Sequence, residues 1–204
     1  MLIQKANFVD VLYGCELFKL MIFYKYKICY ALVVSGEFGM VVLRDFVAGE
    51  EESLFEIFYS SIHMICSQHY TPKQLSAWAP IDLERALWCR KISAIQPFVV
   101  LKENKIVGYS DVQESGLIDH FFVHGEYQGQ GIGNLLMSEA LKRGTSIGAL
   151  HSEVSYTAQP FFQKYGFKPV KKQIVIIRGV ALNNCTSLEN SGNVFKLEII
   201  WSGN

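Results

Sequence analysis

Excess charge of either sign is missing from this 204-residue chain: 19 Lys and Arg offset 19 Asp and Glu, and no basic run interrupts the balance. Neutralising phosphates needs clustered Lys and Arg, so the composition argues against nucleic acid as the main partner. Cys-x-x-Cys spacing is missing too. The five cysteines (Cys15, Cys29, Cys66, Cys89, Cys185) are dispersed and odd in number. That pattern argues against a disulfide framework or a zinc site and fits a reducing cytosol. We therefore expect a cytoplasmic protein without metal, in which Cys66 is an inert thiol near the substrate loop. Repeats, linkers and low-complexity segments are absent. The most apolar stretch, Leu17 to Gly36, is interrupted by Lys19, Lys25 and Lys27. Each lysine would cost about 2.5–3.5 kcal/mol at mid-bilayer, so no membrane span is expected. Asp10 and Glu16 stand where a secretory signal would be basic. What remains is a chain that is 50% hydrophobic and 13% aromatic, enough for one packed domain and too apolar for global disorder.

The most informative stretch runs from Phe121 to Asn134, FFVHGEYQGQGIGN. A short apolar strand passes through a polar turn into the glycine-rich start of an amphipathic helix. Glycines at 129, 131 and 133 let several backbone N–H groups approach an anion without Cβ interference, and the helix adds its positive dipole end. The pattern reads as a pyrophosphate cradle. A P-loop requires Gly-Lys-Ser/Thr at the helix start, and Asn134-Leu135 follow the last glycine instead. A dinucleotide fingerprint requires Gly-x-Gly-x-x-Gly directly after a strand. Here the spacing is Gly-x-Gly-x-Gly, with His124 to Gln128 intervening, although Glu153 stands about where an acidic ribose ligand would. The remaining pattern, Gln/Arg-x-x-Gly-x-Gly/Ala, is met by Gln128, Gly131 and Gly133. In this loop the chain resembles the GCN5-related N-acetyltransferase (GNAT) superfamily.

Two further segments carry the resemblance. Ser155 to Val170, SYTAQPFFQKYGFKPV, is similar to the family's Asn-x-x-Ala followed by Phe-Tyr-x-x-x-Gly-Phe. Physically it reads as a short helix, Ala158 to Tyr165, stopped by Gly166 as a left-handed cap, with Phe167 opening a strand. Upstream, Ser67 to Pro80, SQHYTPKQLSAWAP, resembles the YafP-like subgroup of bacterial acetyltransferases. The resemblance spans about Met40 to Glu189. Residues 1–39 are expected to be an N-terminal extension outside the domain, with synthesis starting at Met40, because Ser35-Gly36-Glu37 can be the translation of a purine-rich ribosome-binding site. Residues 190–204 are a C-terminal extension that can add an edge strand from Val194 to Trp201.

Hydrophobic periodicity places the motifs. A strand over Met40 to Asp45 precedes a helix from Gly49 to about Cys66, with Leu54, Ile57, Phe58, Ile62 and Ile65 on one face. Thr71-Pro72-Lys73-Gln74 is a helix start with a capping threonine, proline at the first position and glutamine at the third. Asp82 reads as a second start. Strands are expected over Phe98–Lys102 and Ile106–Val112, joined by a tight turn, then over Leu117–Val123. A helix from Ile132 closes at Lys142-Arg143-Gly144. The strand Ala149–Val154, the short helix, and strands near Phe167–Val170 and Gln173–Ile177 complete the order β-α-α-β-β-β-α-β-α-β-β. That is an α/β (α+β) chain with a mixed, mostly antiparallel sheet flanked by helices, as the GNAT fold has.

The resemblance implies acetyl-CoA as co-substrate and direct transfer of an acetyl group to an amine, in a small molecule or a protein, within a ternary complex. It implies that the loop from Gln128 through Gly129, Gln130, Gly131, Ile132 and Gly133 to Asn134 takes the pyrophosphate. Phe122 and Val123 would pair with the pantetheine arm as a strand does, with Ser155 and Phe162 flanking it. Many members protonate the departing thiolate with a tyrosine at the position of Phe162, which has no proton to give. Tyr165 is the substitute by residue type. For amine deprotonation, Asp119 and His120 adjoin on one strand, where period-2 alternation sends them to opposite faces. His124 and Glu126 read as solvated turn residues. His69, Tyr70 and Trp78 would form an aromatic wall for the acceptor, able to hold an ammonium by cation–π contact. The rival reading is a non-catalytic acyl-CoA-binding or sensor module of the same fold. Monomer and homodimer remain open.

Overall fold

The computed structural model describes residues 16–24, 27–35 and 40–189. Translation from Met40 and the strand expected over Val194–Trp201 lie outside what those residues address. Within the N-terminal extension, β1 (Glu16–Tyr24) and β2 (Lys27–Ser35) form an antiparallel hairpin, and β2 pairs with β3 (Val41–Asp45). From β3 the chain enters α1 (Glu51–Ser60), which runs into a π-helical turn, Ser61–Ile65, and a 3₁₀ turn, Cys66–Gln68. Next come α2 (Pro72–Trp78) and α3 (Arg85–Ile95). The capping box at Thr71 is present, with Gln74 Oε1 accepting from Thr71 N at 2.9 Å. Asp82 does not cap α3. The helix starts three residues later, after Glu84, without a side-chain cap.

Strands β4 (Phe98–Lys102) and β5 (Lys105–Ser110) form a hairpin whose two turn residues, Glu103 and Asn104, both have positive φ (52° and 65°). Such a turn matches the right-handed twist of its strands. The single strand expected over Leu117–Val123 is broken. Residues Leu117–Ile118 form β6 and Phe121–Val123 form β7, and the two belong to different sheets. Then follow α4 (Ile132–Gly144), β8 (His151–Ser155), α5 (Gln159–Lys164), β9 (Phe167–Ile177) and β10 (Val180–Glu189). Gly166 caps α5 at φ 86° as expected. The two short strands expected after it are one eleven-residue strand. It turns back through Arg178-Gly179, both at positive φ, into a β10 that periodicity did not reveal. Polar residues Asn183, Asn184, Thr186 and Ser187 break the apolar alternation of β10, while its ladder to β9 and β8 holds it in place.

The described residues form two sheets, ordered β1-β2-β3-β4-β5-β7 and β6-β8-β10-β9, antiparallel at every ladder among them except β6 to β8. Helices cover both faces, and alternate side chains of one strand feed two cores. From β4, Phe98 and Val100 pack with Ile132, Leu136 and Met137 of α4, while Val99 joins Leu54, Phe58, Trp88 and Ile92 of α1 and α3. Each such fully buried side chain contributes on the order of 1.5–3 kcal/mol. With both sides of the sheet covered, the two sheets part between β7 and β8.

Candidate functional site

The split begins with Asp111. Its buried carboxylate sits just past β5 and accepts from two successive backbone groups, Asp119 N (3.1 Å) and His120 N (2.6 Å). His120 O in turn accepts from Asp111 N (3.2 Å) and Ser110 Oγ (2.8 Å). A carboxylate therefore replaces the ladder where β6 would continue into β7, and the chain changes sheets there. Gln113 Nε2 satisfies the other Asp111 oxygen at 3.1 Å. Burial, opposed by these hydrogen bonds, pushes the Asp111 carboxyl up to about 6.

Between the two sheets lies a cleft of about 780 Å³, lined from one end to the other by the glycine loop, both facing strands, α5 and the helices of the opposite face. At the loop end, Gly129 and Gly131 have φ of 72° and 81°, and a Cβ on either would meet nothing within 4 Å. Conformation is thus what demands glycine at these two positions. At Gly133 a Cβ would lie 3.3 Å from the Phe161 ring, a contact that the ring would have to yield to by a few tenths of an ångström. The backbone N–H groups of residues 129–134 find no acceptor among the described residues, and the first helical bond of α4 is Leu135 N to Gly131 O. An arc of unpaired donors at a helix N-terminus is the arrangement an oligophosphate requires. The loop is held by side chains: Gln128 Nε2 donates to Val123 O (2.8 Å), Gln130 Nε2 to Glu126 O (3.2 Å), and Lys102 Nζ to Gln130 Oε1 (2.7 Å). Ile132 contributes only its backbone, its side chain being buried in the core.

Midway, β7 and β8 face each other without pairing. Phe122 and Val123 stand on one wall and Ser155 on the other, with Ser155 Oγ accepting from Ala158 N at 3.3 Å. Phe162 is buried among Phe121, Phe161 and Phe167, so its ring closes the wall of the cleft and holds the β7–α5 corner. Tyr165 lies elsewhere. Its hydroxyl donates to Asn134 Oδ1 (2.8 Å), which ties α5 to the loop end of α4. Burial raises its pKa.

At the other end, Asp119 and His120 both line the cleft. The break in the strand cancels the alternation that would separate them, and His120 Nε2 comes within 3.8 Å of Asp119 Oδ2. Lys91 Nζ on α3 reaches the same oxygen at 3.1 Å. His120 is 4% exposed, between Phe58, Trp88 and Phe122, with Nδ1 2.9 Å from the hydroxyl of buried Tyr109. Burial first, then the Lys91 charge, lower its pKa to about 4. His124 accepts from Glu126 N within its own turn, away from this group.

Of the three residues expected to meet an acceptor, two come together in the cleft. Tyr70 and Trp78 line the cleft with ring centroids 5.6 Å apart, and Tyr70 OH donates to Asn183 O (2.7 Å). His69 does not line the cleft; its Nδ1 lies 3.0 Å from Oγ1 of Thr157, which does. Cys66 is in the cleft wall but buried, and burial raises its thiol pKa. Residues that sequence reasoning did not find include Asp111, Tyr109, Lys91 and Trp88. Tyr109 and Asp111 reach the site only through the β5–β7 register, for which no local pattern is a signal.

A family model described as an acetyltransferase (GNAT) domain matches residues 66–182. The uncharacterized N-acetyltransferase YafP of Escherichia coli (strain K12) is 37% identical over 144 residues, covering 71% of this chain and 92% of that protein. The chain belongs to the GNAT acetyltransferase family. Among solved structures, a GCN5-related N-acetyltransferase from Rhodopseudomonas palustris aligns with a TM-score of 0.69 at 26% identity, over 72% of this chain and 93% of that one. The PaiA N-acetyltransferase from Thermoplasma acidophilum, solved in complex with coenzyme A, shares the fold (TM-score 0.60, 15% identity, 73% and 98% covered). The GNAT fold and the YafP-like resemblance expected from the loop and its downstream corner are thereby shown. No helix among the described residues is long and apolar enough to cross a membrane, and no cluster of His, Cys, Asp or Glu among them is placed to hold a metal.

Proposed function

We propose that this protein is an acetyl-CoA-dependent N-acetyltransferase that passes an acetyl group directly to an amine acceptor, a small molecule or a protein amine, entering the cleft from the Tyr70–Trp78 end. The observation that carries this reading is the continuity of one cleft. Unpaired N–H groups stand at its loop end, and a carboxylate–imidazole pair stands at the other. When bound, acetyl-CoA supplies an activated thioester. Residues 129–134 hold the anionic end through their backbone donors, and β7 offers an unpaired strand edge to the amide-bearing arm. Asp119, 37% exposed and beside Lys91, is the group placed to take the proton of an incoming ammonium. The thiol of CoA is acidic enough to depart without a dedicated acid, so Phe162 at the usual tyrosine position is compatible with turnover. A reducing cytoplasm is the compartment this reading implies, and Cys66, Cys89 and Cys185 are free thiols.

The loop assignment is tested with Gly131→Val, which places a β-branched side chain at φ 81°. Calorimetry is expected to show micromolar acetyl-CoA binding by the parent and at least about tenfold weaker binding by the folded variant, a difference of about 1.4 kcal/mol. Equal affinities would remove the loop from the cofactor site.

A further inference from the structure

Resting on the acetyl-transfer reading, the geometry points to a division of labour between Asp119 and His120. We infer that His120 is a neutral hydrogen-bond donor, held as the Nε2–H tautomer by Tyr109, and that Asp119 alone accepts the proton. Tyr109 is then a positioning residue for the reaction.

Two observations fix the tautomer independently. The Tyr109 hydroxyl is fully buried, and its one partner among the described residues is His120 Nδ1 at 2.9 Å. A buried O–H left without an acceptor costs about 1–3 kcal/mol, so the hydroxyl donates and Nδ1 accepts. A neutral imidazole whose Nδ1 accepts carries its hydrogen on Nε2. On the other side of the ring, Nε2 faces the Asp119 carboxylate at 3.8 Å. A hydrogen there is attracted to the carboxylate, whereas a lone pair would oppose it. The surrounding groups keep the ring neutral. Phe58 of α1, Trp88 of α3 and Phe122 of β7 enclose it without offering a polar partner. Lys91 of α3 disfavours a positive imidazole, Asp119 on the same segment favours it, and Asp111 past β5 holds the backbone N–H of His120. The ring therefore presents an N–H to the cleft and has no free lone pair there. A group in that state stabilises negative charge by donation and cannot serve as a proton acceptor. Asp119, which shares the cleft wall, has free lone pairs and solvent access.

The tautomer can be read without any substrate, which separates failure of this inference from failure of the acetyl-transfer reading. Two-bond ¹⁵N–¹H correlation spectra of the full chain labelled at histidine, with His120 assigned by loss of its signals in His120→Gln, are expected to show the neutral Nε2–H pattern at pH 7. In Tyr109→Phe the preference for that tautomer is expected to weaken or reverse. Kinetically, His120→Gln keeps an N–H donor and is expected to retain kcat within about tenfold, while His120→Ala loses about 100-fold, the scale of one removed donor. An Nδ1–H tautomer in the parent protein overturns the inference. So does a His120→Gln variant as impaired as His120→Ala in a folded protein, because that would make the imidazole lone pair the essential feature.

Discussion

At the residue scale, the pivot is Asp111. One buried carboxylate ends the β6 ladder, redirects the chain into β7 and sets the backbone of Asp119 and His120. Its charge is held at a cost. Burial pushes the carboxyl from the ordinary aspartate value of 3.8 up to about 6 in the folded protein, so the folded state binds more protons between those limits. Stability from this group is thus full below about 4 and is lost as pH rises through about 6. Asp111→Asn keeps an acceptor oxygen and removes the titration. Measured by urea denaturation, the variant is expected to gain on the parent by about 1 kcal/mol between pH 5 and pH 8. The opposite shift at His120 is present in both proteins and cancels in the difference. A pH-independent offset between the two would show that Asp111 is not titrating in this range. None of this was legible in the sequence. An aspartate after a strand reads as a loop residue, and the expected unbroken strand over Leu117–Val123 hid the break that Asp111 creates.

At the scale of elements, legibility followed the locality of the signal. The Thr71 cap, the Glu103-Asn104 turn, the Gly129–Gly133 loop and the Gly166 stop are each set by a few adjacent residues, and each was readable. β10 and the sheet change at Asp119–His120 depend on pairing with distant strands, and β10 in particular has too polar an exposed face to declare itself. The N-terminus of α2 offers a test at this scale. Its capping box fastens the helix that carries Trp78 and whose Ala77 carbonyl receives Arg178, bridging to the β9–β10 turn. Thr71→Ala is expected to cost about 1 kcal/mol of stability, read by chemical denaturation. Acetyl-CoA affinity is expected to stay unchanged, because the box lies beside Tyr70 and Trp78, at the far end of the cleft from the glycine loop. Weaker cofactor binding in that variant would mean that the two ends of the cleft are coupled.

At the scale of the whole molecule, the two sheets and the two cores of the described residues leave one continuous passage, with the unpaired N–H groups of residues 129–134 at one end and Asp119 and His120 at the other. Family membership establishes the fold and the class. The passage supports turnover rather than mere retention of a nucleotide, because a sensor would need the loop end alone. The measurement that separates them most directly is release of free CoA from acetyl-CoA by the purified full chain, followed against a panel of amines. Release that depends on an added amine, saturates in it and falls at least about tenfold in Asp119→Asn is expected if the protein is an acetyltransferase using the acceptor end described here. Tight acetyl-CoA binding with no amine-dependent release across the panel would contradict that account and assign the cleft to cofactor sensing.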